Sequence, residues 1–471
     1  MWTRLLLLAA ALLAFGASLG SGFHFDDYAI FSDPALSASS GWQEIWTAKQ
    51  TRPLTYLTFW INRQTSGESP LGYHALNLAL HLAAILLAYE CLRRLLPPHP
   101  ALLAAFLFAV HPLQAEAVDY IWARSIMLAA ALCFGALLAW LTGCRWLAVL
   151  LFVLALLAKE ECAAFPLVLL LFDRKKLAPV GVMLAASLAA GLRVIYALSI
   201  TPGAPAGSQA GVTPWHYFLA QGPAIWRYLR LFGIPYGFSV DPDVRVPTLW
   251  LGLAAWLALA AAVLLLLRYW PEPGRWFLAA LILLLPSSSL FPAADLAADR
   301  RMYLPLFALA AATAWLLVRV KPRAVVYGAM LALTAVSFAR TGVWNSDEAL
   351  WREAVRRAPG KVRPKVQLAR SAPPAEALEL LAQARQLAPG DPNIAAETGR
   401  VLLAQGQAAD ALAEFGRALA LDPRDARNYN NRGVALQALG QTEAARQDFL
   451  RALQIDPSLS TARENLRKLA P

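Results

Sequence analysis

The stretch "LLLLAAALLAFGASLGSGFHFDDYAIF", residues 5–31, joins a long apolar run to two adjacent carboxylates, Asp26 and Asp27. The run from Leu5 to Leu19 is apolar enough to enter a lipid bilayer. Ionised carboxylates are costly in hydrocarbon, so the aspartates are expected at the membrane surface where the run ends. A cleavable signal peptide is the alternative for this segment. We favour an uncleaved span, because cleavage would leave the two carboxylates almost at the new N-terminus.

Composition indicates a membrane protein that crosses the bilayer several times. The chain has 471 residues, of which 58% are hydrophobic and 15% are charged, whereas soluble domains carry about 25% charged residues. Trp is enriched at bilayer interfaces, and 14 of its 16 occurrences precede residue 343. The formal net charge of +11 does not indicate nucleic-acid binding, since no basic stripe with interleaved aromatic residues is present. The chain therefore divides into a membrane part and a different C-terminal part.

Apolar runs predict an all-α bundle with about eleven membrane spans. The predicted spans are 3–21, 76–96, 98–113, 121–142, 145–158, 161–173, 177–199, 248–268, 275–292, 302–319 and 323–341. Several are shorter than the roughly 20 residues that a straight span needs. Basic residues, which favour the cytoplasmic side, occupy alternate loops of this pattern. These loops hold Arg93–Arg94, Arg145, "DRKK" at 173–176, Arg268 with Arg275, and Arg319, Lys321 and Arg323.

The alternation of basic loops predicts a cytoplasmic N-terminus and a multi-pass orientation. The exocytoplasmic elements are then residues 22–75, "HPLQAEAV", "AKEE", a long Pro/Gly loop at 200–247, "PAADLAADRRMY" and the whole C-terminal region. An Ala-, Leu- and Arg-rich chain is typical of bacteria, so the inner (cytoplasmic) membrane is the expected location. Asp26 and Asp27 would then face outward at the mouth of the bundle.

The C-terminal part carries a 34-residue repeat. Pro389, Pro423 and Pro457 are equally spaced, and "RALALDP" recurs as "RALQIDP". This period, with small residues where helices cross, predicts a tetratricopeptide α-solenoid. The predicted domains are therefore a transmembrane domain at 1–342 and an exocytoplasmic repeat domain at 343–471. Such an array holds a peptide or protein in its groove, and the alternative role is a stabilising appendage.

Five polar strings lie at the outward ends of the predicted spans. They are "RPLTYLTFWIN" (52–62), "GYHALNLALH" (72–81), "FAVHPLQAEAVDYIWAR" (108–124), "LLAKEECAAFP" (156–166) and "AADRRMYLP" (297–305). With "FDD", their order and spacing resemble the transmembrane and tetratricopeptide repeat-containing O-mannosyltransferases of the GT-C superfamily. The resemblance implies a GT-C-type domain that transfers mannose, or a similar hexose, from a polyprenyl-phosphate carrier to an acceptor hydroxyl on the outer face. A Ser or Thr of a protein is the expected acceptor.

The resemblance also implies that Asp26 and Asp27 are the acidic pair of the family. A carboxylate that takes the proton of an acceptor hydroxyl makes it nucleophilic, as in inverting hydrolysis, where water is the acceptor. Asp26 is the expected base. Asp27 is expected to position the base or the acceptor, or else to cap a local helix. Glu116 is the expected second acid, which would hold the acceptor or a sugar hydroxyl.

The histidines and cysteines give weaker signals. His74, His111 and Tyr303 are further site candidates. A hydrogen-bonded interface histidine is the alternative for His111, and His81 is expected to be a buried histidine with satisfied partners. No CxxC pair is present, so the cysteines predict neither a disulfide framework nor a metal site. They are Cys91, Cys133, Cys144 and Cys162.

A departing polyprenyl phosphate needs fixed cations. Arg300 and Arg301 are expected outside the membrane, against the charge rule, and an arginine fork suits phosphate. The weaker candidates for phosphate or lipid binding are Lys159, Arg124 and Arg52. Their alternative partners are Glu160, Glu161 and Asp119. Carboxylates could hold a divalent cation, but the residues predict no metal site and no certain cofactor.

Two alternatives to a protein glycosyltransferase remain open. One keeps the donor but uses a lipid or surface glycan as the acceptor. The other is a membrane transporter or flippase with a tetratricopeptide scaffold tail, in which intramembrane charges line a midplane path. Polar strings at the outer ends of the spans, and the lack of a visible inverted repeat, favour the enzyme.

Overall fold

The computed structural model describes residues 1–37, 41–47, 50–173, 177–200, 212–289, 292–293 and 295–469. None of these residues lies in a β-strand, so the predicted all-α class is confirmed. Contacts divide the chain into two compact units, Met1–Ser346 and Asp347–Pro471. Residues 174–176 of the predicted "DRKK" loop and 201–211 of the predicted long loop lie outside the described residues.

The first unit is built from α-helices joined by short 3-10 turns. Its α-helices are Trp2–Phe15, Ala29–Ser32, Pro34–Ser37, Pro53–Ser66, Pro70–Leu95, Pro98–Val110, Ala115–Asp119, Arg124–Leu141, Arg145–Ala158, Phe165–Phe172, Leu177–Ile200, Pro214–Gly233, Leu249–Tyr269, Pro271–Leu284, Tyr303–Leu317 and Arg323–Val343. Its described 3-10 turns are Gly16–Gly20, Phe25–Tyr28, Gly41–Trp46, Pro112–Gln114, Ile121–Ala123, Glu160–Cys162 and Asp299–Met302.

Six described helices are long and apolar enough to cross a membrane, which makes the chain a multi-pass membrane protein. They are Trp2–Gly20, Pro70–Leu95, Ile121–Leu141, Leu177–Ile200, Leu249–Tyr269 and Arg323–Val343. A seventh span results if Pro98–Val110 and Pro112–Asp119, which meet at a 46° bend, cross the membrane together. By length and composition, the described helices thus support six or seven spans. The predicted number of eleven is too high for these residues.

The other four predicted spans correspond to shorter helices. Arg145–Ala158 and Pro271–Leu284 have 14 residues each, Phe165–Phe172 has 8, and Tyr303–Leu317 has 15. A 15-residue helix is only about 22 Å long, whereas the hydrocarbon core is about 30 Å thick. Charged or proline-containing turns end these helices early, and a hydropathy search does not detect such an interruption.

Burial separates the central helices from those at the periphery. Every residue from Tyr303 through Ala312 is buried, so this short helix is enclosed by protein and need not match the bilayer. Phe108 and Phe134 pack against Phe307 of this helix, and the three ring centroids lie 4.8–6.5 Å apart. Leu249–Tyr269, in contrast, buries only two residues and exposes five of its leucines, as expected of a lipid-facing helix.

One helix lies where the sequence predicts a loop. Pro214–Gly233 falls within the predicted loop at 200–247, and the loop prediction is wrong for these residues. The side chain of Thr213 accepts a hydrogen bond from the backbone N–H of His216 and caps the helix, and proline suits the first helical position. The helix has one buried and one exposed face. Polar residues on the exposed face lower its mean hydropathy, so the segment does not stand out as an apolar run in the sequence.

The second unit consists of antiparallel helix pairs. Its helices are Asp347–Arg357, Val362–Ala369, Pro374–Leu387, Pro392–Ala404, Ala408–Leu421, Ala426–Ala438, Thr442–Ile455 and Ser460–Lys468. Phe415 packs on Gly399, where an added Cβ would lie 2.9 Å from the ring, and Phe449 packs on Gly433 at 2.6 Å in the same way. The 34-residue period therefore places a glycine wherever the second helix of a pair presses an aromatic ring onto the first.

Candidate active site

Asp27 ties the acidic loop to a distant part of the chain. The side chain is fully buried. Its Oδ2 accepts a hydrogen bond from the backbone N–H of His24 at 2.9 Å, and its Oδ1 accepts one from the backbone N–H of Trp122 at 2.7 Å. Burial raises the pKa of this carboxyl to about 7. Both carboxylate oxygens accept hydrogen bonds from backbone N–H groups. This geometry favours the capping role for Asp27 over a catalytic role.

The residue before Asp26 has an uncommon backbone conformation. Phe25 has φ 22°, a value that non-glycine residues rarely adopt. Its ring packs against Tyr120 with centroids 4.6 Å apart and against the fully buried Trp344 at 6.4 Å. Strained backbone persists where the surroundings over-determine it, and it concentrates at functional sites. The aromatic packing therefore fixes the direction in which Asp26 points.

Asp26 is the exposed member of the pair. Its Oδ2 accepts a hydrogen bond from the hydroxyl of Tyr120 at 2.8 Å, and the described residues give Oδ1 no partner. Burial, followed by the charges of Asp27 and Asp26, raises the pKa of Tyr120 above its ordinary value, while Arg300 opposes the shift. Tyr120 therefore keeps its proton and holds one carboxylate oxygen, which leaves the other oxygen available to a substrate.

Glu116 and Arg300 form a paired unit. The two Glu116 oxygens accept hydrogen bonds from the Arg300 guanidinium and from its backbone N–H, the latter at 3.1 Å. A second guanidinium nitrogen of Arg300 lies 3.3 Å from Asp295 Oδ2. Only 5% of the Glu116 side chain is exposed. The predicted second acid is thus neutralised by a predicted phosphate ligand.

Arg301 differs from its neighbour, because its donors meet only neutral acceptors. It donates to the hydroxyl of Tyr217 at 3.2 Å and to the carbonyl oxygen of Asp295 at 2.8 Å. Among the described residues no carboxylate lies within ion-pairing distance of it. The residue is 8% exposed. Arg301 thus supplies a buried positive charge that no carboxylate contacts directly, and Glu161 acts on it only through its charge.

The sequence patterns did not identify Arg227 as a site candidate. It lies on the helix Pro214–Gly233 and donates to Asp299 Oδ1 at 2.5 Å. The segment was predicted to be a loop, so no residue in it was named as a site candidate. The apolar spacing within the helix, and its Thr-Pro start, are the signals that would have identified it.

Lys159, Glu160 and Glu161 form a charged turn after the helix Arg145–Ala158. Arg52 donates to both oxygens of Glu160, at 2.6 and 3.0 Å. Burial would raise the pKa of Glu160, but the charge and the hydrogen bonds of Arg52, together with the charge of Lys159, lower the pKa to about 2. Lys159 lies 3.3 Å from Glu161, and burial lowers the pKa of its amine to about 8. Arg52 is therefore held in an ion pair with Glu160, as the alternative predicts. Lys159 makes one longer contact with Glu161, so the alternative describes it only in part.

Two of the predicted phosphate ligands line one cavity. Lys159 and Arg301 meet at a space of about 20 Å³, together with Glu161. This space shares Leu283 and Leu304 with a larger apolar cavity of about 290 Å³. The aromatic residues of the larger cavity are Phe134, Trp140, Phe165, Phe172, Trp276 and Phe307. A cationic end thus adjoins an apolar chamber.

Arg124 is fully buried and is held entirely by protein groups. It donates to Asn77 Oδ1 at 2.8 Å and to the carbonyl oxygen of Tyr73 at 3.0 Å. Its guanidinium lies 4.6 Å from the centroid of the Phe59 ring. These contacts indicate a residue that holds helices together, and they leave little of the fork for a phosphate.

The three remaining candidates also bond within the protein. His74 Nε2 lies 3.1 Å from the carbonyl oxygen of Gly22, beside the acidic loop. His111 accepts from the backbone N–H of Leu113 and bonds the carbonyl oxygen of Phe232, as an interface histidine does. The Tyr303 hydroxyl lies 2.8 Å from His81 Nδ1. Among the described residues no three His, Cys, Asp or Glu side chains converge to hold a metal ion.

The long apolar helices of the first unit and the helical pairs of the second define a multi-pass, all-α membrane protein with a repeat unit. Residues 397–460 match the family model described as tetratricopeptide repeat, which confirms that prediction. The chain is 30% identical over 179 residues to protein O-mannosyl-transferase F38B6.6 of Caenorhabditis elegans, covering 33% of this chain and 26% of that protein. It is 34% identical over 158 residues to human protein O-mannosyl-transferase TMTC4, covering 27% and 21%. For Tmtc2 of Drosophila melanogaster the identity is 29% over 306 residues, covering 53% and 32%.

The chain is therefore a distant relative of the transmembrane and tetratricopeptide repeat-containing O-mannosyltransferases, as the predicted resemblance stated. Its matched part spans a third or less of the length of these three relatives.

Proposed function

We propose that the protein is an integral membrane glycosyltransferase. It moves a hexose, mannose or a similar sugar, from a polyprenyl-phosphate carrier to the hydroxyl of a Ser or Thr in a protein. The names of its relatives support the reaction class. The observation that carries the proposal is Asp26, an exposed carboxylate whose Oδ2 is held by Tyr120 and whose Oδ1 has no partner among the described residues.

The proposed reaction uses Asp26 as a general base. Its Oδ1 takes the proton of the acceptor hydroxyl as the acceptor oxygen bonds to C1 of the sugar. The bond between C1 and the phosphate oxygen breaks, and the phosphate leaves with the electron pair. Arg301 and Lys159 stabilise that anion through charge-assisted hydrogen bonds. Displacement from the face opposite the phosphate inverts the configuration at C1, by analogy with inverting hydrolysis.

We place the reaction on the exocytoplasmic face of the cytoplasmic membrane. The basic loops support a cytoplasmic N-terminus, and the acidic loop then follows the first span on the outer side. An odd number of spans puts the repeat unit on that same outer side. Seven spans satisfy this condition, which makes the bent pair Pro98–Val110 and Pro112–Asp119 a crossing segment in this proposal.

Donor binding is expected to weaken as the pH rises through about 8. Burial lowers the pKa of the Lys159 amine to about 8, so the amine is charged at pH 7 and largely neutral at pH 9. Loss of a charge-assisted hydrogen bond should raise the donor KM about three- to tenfold over that interval. Steady-state kinetics between pH 6.5 and 9 measure this change. The Lys159→Arg variant should lose the dependence, because arginine stays charged; the same rise in that variant would assign the titration to another group.

The repeat unit is expected to serve the acceptor and not the donor. Deleting residues 391–471 should raise the apparent KM for a long protein acceptor, because the array raises the local concentration of a bound chain. Transfer to a short peptide should change much less, and this short acceptor is the control. Loss of donor binding on truncation would make the array structural. An unchanged KM for every acceptor would favour a lipid or surface glycan instead.

A further inference from the structure

A second polar cavity lies between the helix Pro53–Ser66 and the start of Arg124–Leu141. Its volume is about 90 Å³. A water molecule needs roughly 10–15 Å³ of such a cavity, so several would fit. Its lining includes Arg52, Thr55, Tyr56, Phe59, Trp122 and Ser125. Only Arg52 among these is a candidate from the sequence, and the reaction above uses none of them.

Ser125 presents an unused hydroxyl to this cavity. The residue is 2% exposed, and its hydroxyl has no hydrogen-bond partner within the described parts of the chain. Thr55, which also lines the cavity, instead donates to the carbonyl oxygen of Ala158 at 2.9 Å. Ser125 is therefore poised to bond a group that enters the cavity.

The same cavity also has aromatic side chains in its wall. Trp122 stacks on Phe59 with centroids 5.5 Å apart and an interplanar angle of 11°. Tyr56 meets Trp122 edge-on at 6.0 Å. Ligand sites combine apolar, aromatic walls with a few convergent polar groups. A pyranose ring has a matching surface, with an apolar face of C–H bonds and a rim of hydroxyls.

The charges around the cavity favour a neutral ligand. Arg52, the cation in its lining, is neutralised by its two-point contact with Glu160. A phosphate in this space would face that carboxylate, whereas a sugar hydroxyl can bond either partner. Arg301, which has no contacting carboxylate, lines the neighbouring cationic cavity instead.

The location of the cavity connects it to both halves of the proposed reaction. The backbone N–H of Trp122, in the wall, binds Asp27 in the acidic loop. Glu160, the partner of Arg52, directly follows Lys159, which lines the cationic cavity. Ser125 and Ile126 are consecutive residues that line the polar and the cationic cavity, respectively. A sugar bonded to a phosphate at Lys159 therefore has this space within reach.

We propose that the cavity at Ser125 and Trp122 binds the pyranose ring of the donor, with the Ser125 hydroxyl bonding one sugar hydroxyl. This inference rests on the proposed function, because it gives the sugar of that donor a separate subsite. The sugar-bearing lipid occupies the subsite, and the same lipid phosphate without a sugar leaves it open.

Thiol protection of a Ser125→Cys variant tests the assignment. The variant is made with Cys144→Ser, since Cys144 is exposed whereas the other three native cysteines are buried. In proteoliposomes, polyprenyl-phosphate mannose should slow modification by a small methanethiosulfonate reagent at least about tenfold. Polyprenyl phosphate should change the rate less than about twofold. Thr65→Cys, at the exposed end of the helix Pro53–Ser66, is the control that neither lipid should protect.

A second variant separates sugar binding from folding. Ser125→Ala removes the hydroxyl with little change in volume, and it should raise the donor KM without weakening the binding of polyprenyl phosphate. Equal protection of the Ser125→Cys thiol by both lipids would overturn the sugar assignment. So would no protection in a preparation whose wild-type protein transfers the sugar. A wild-type protein that turns over no donor would reject the proposed function, and the subsite with it.

Discussion

The Asp26→Asn variant is expected to lose sugar transfer, with kcat about 10²–10⁴-fold below that of the wild-type protein, the usual cost of losing a general base. Asparagine keeps an oxygen that Tyr120 can bond, so the loop should remain in place while the basic oxygen is lost. Expression and thermal stability in detergent should be nearly unchanged. Single-turnover transfer from a labelled donor measures the effect on the chemical step.

The matched control for this variant is Asp27→Asn. The carboxylate of Asp27 accepts from two backbone N–H groups, and an asparagine presents only one oxygen to them. That variant should therefore lower the melting temperature of the protein as well as its activity. Activity of Asp26→Asn within about tenfold of wild type would remove Asp26 from the role of base.

The Arg301→Ala variant is expected to raise the donor KM by about 10- to 150-fold. This range corresponds to the roughly 1.5–3 kcal/mol of a hydrogen bond to a charged group. Arg301 lies beside Lys159 in the cationic cavity, and its described partners are all neutral. Arg301→Lys should restore only part of the affinity, because the planar fork is lost. Donor titrations at a fixed acceptor concentration measure the change.

Arg300→Ala is the neighbouring control and should behave differently. It leaves Glu116 buried without its cation, and breaking a buried pair in this way costs about 3–5 kcal/mol. Loss of stability should therefore dominate in that variant. An unchanged donor KM in Arg301→Ala would remove Arg301 from the phosphate site and leave that role to Lys159.

Local patterns in the sequence predicted much of the fold. Helical membrane spans follow from apolar runs, and the repeat unit follows from the spacing of Pro389, Pro423 and Pro457. The number of spans could not be predicted, because a run of apolar residues does not show where a helix ends. Tyr303–Leu317 is such a case, since protein encloses it and it need not be as long as a lipid-facing span.

The candidate site was predicted less completely than the fold. The sequence identifies Asp26 and Asp27 as a pair but cannot separate their roles, because the difference depends on Trp122, 95 residues away. Tyr120 lies in the polar string at 108–124, yet the neighbouring sequence does not show that its hydroxyl reaches Asp26. Glu116, a partner of Arg300, and Tyr217, a partner of Arg301, likewise come from distant parts of the chain. Long-range contacts thus decide which charged side chains are available to a substrate.

The most direct test of a polyprenyl-phosphate-dependent transferase is reconstitution of the purified protein in liposomes with a panel of radiolabelled polyprenyl-phosphate sugars and an acceptor peptide that contains Ser and Thr. The label remaining in the lipid fraction is measured over time. Wild-type protein should deplete the label from at least one donor, with mannose the first expectation, whereas protein carrying Asp26→Asn should leave it in the lipid. Retention of label in every donor with wild-type protein, or equal loss with the variant, would contradict the proposed function.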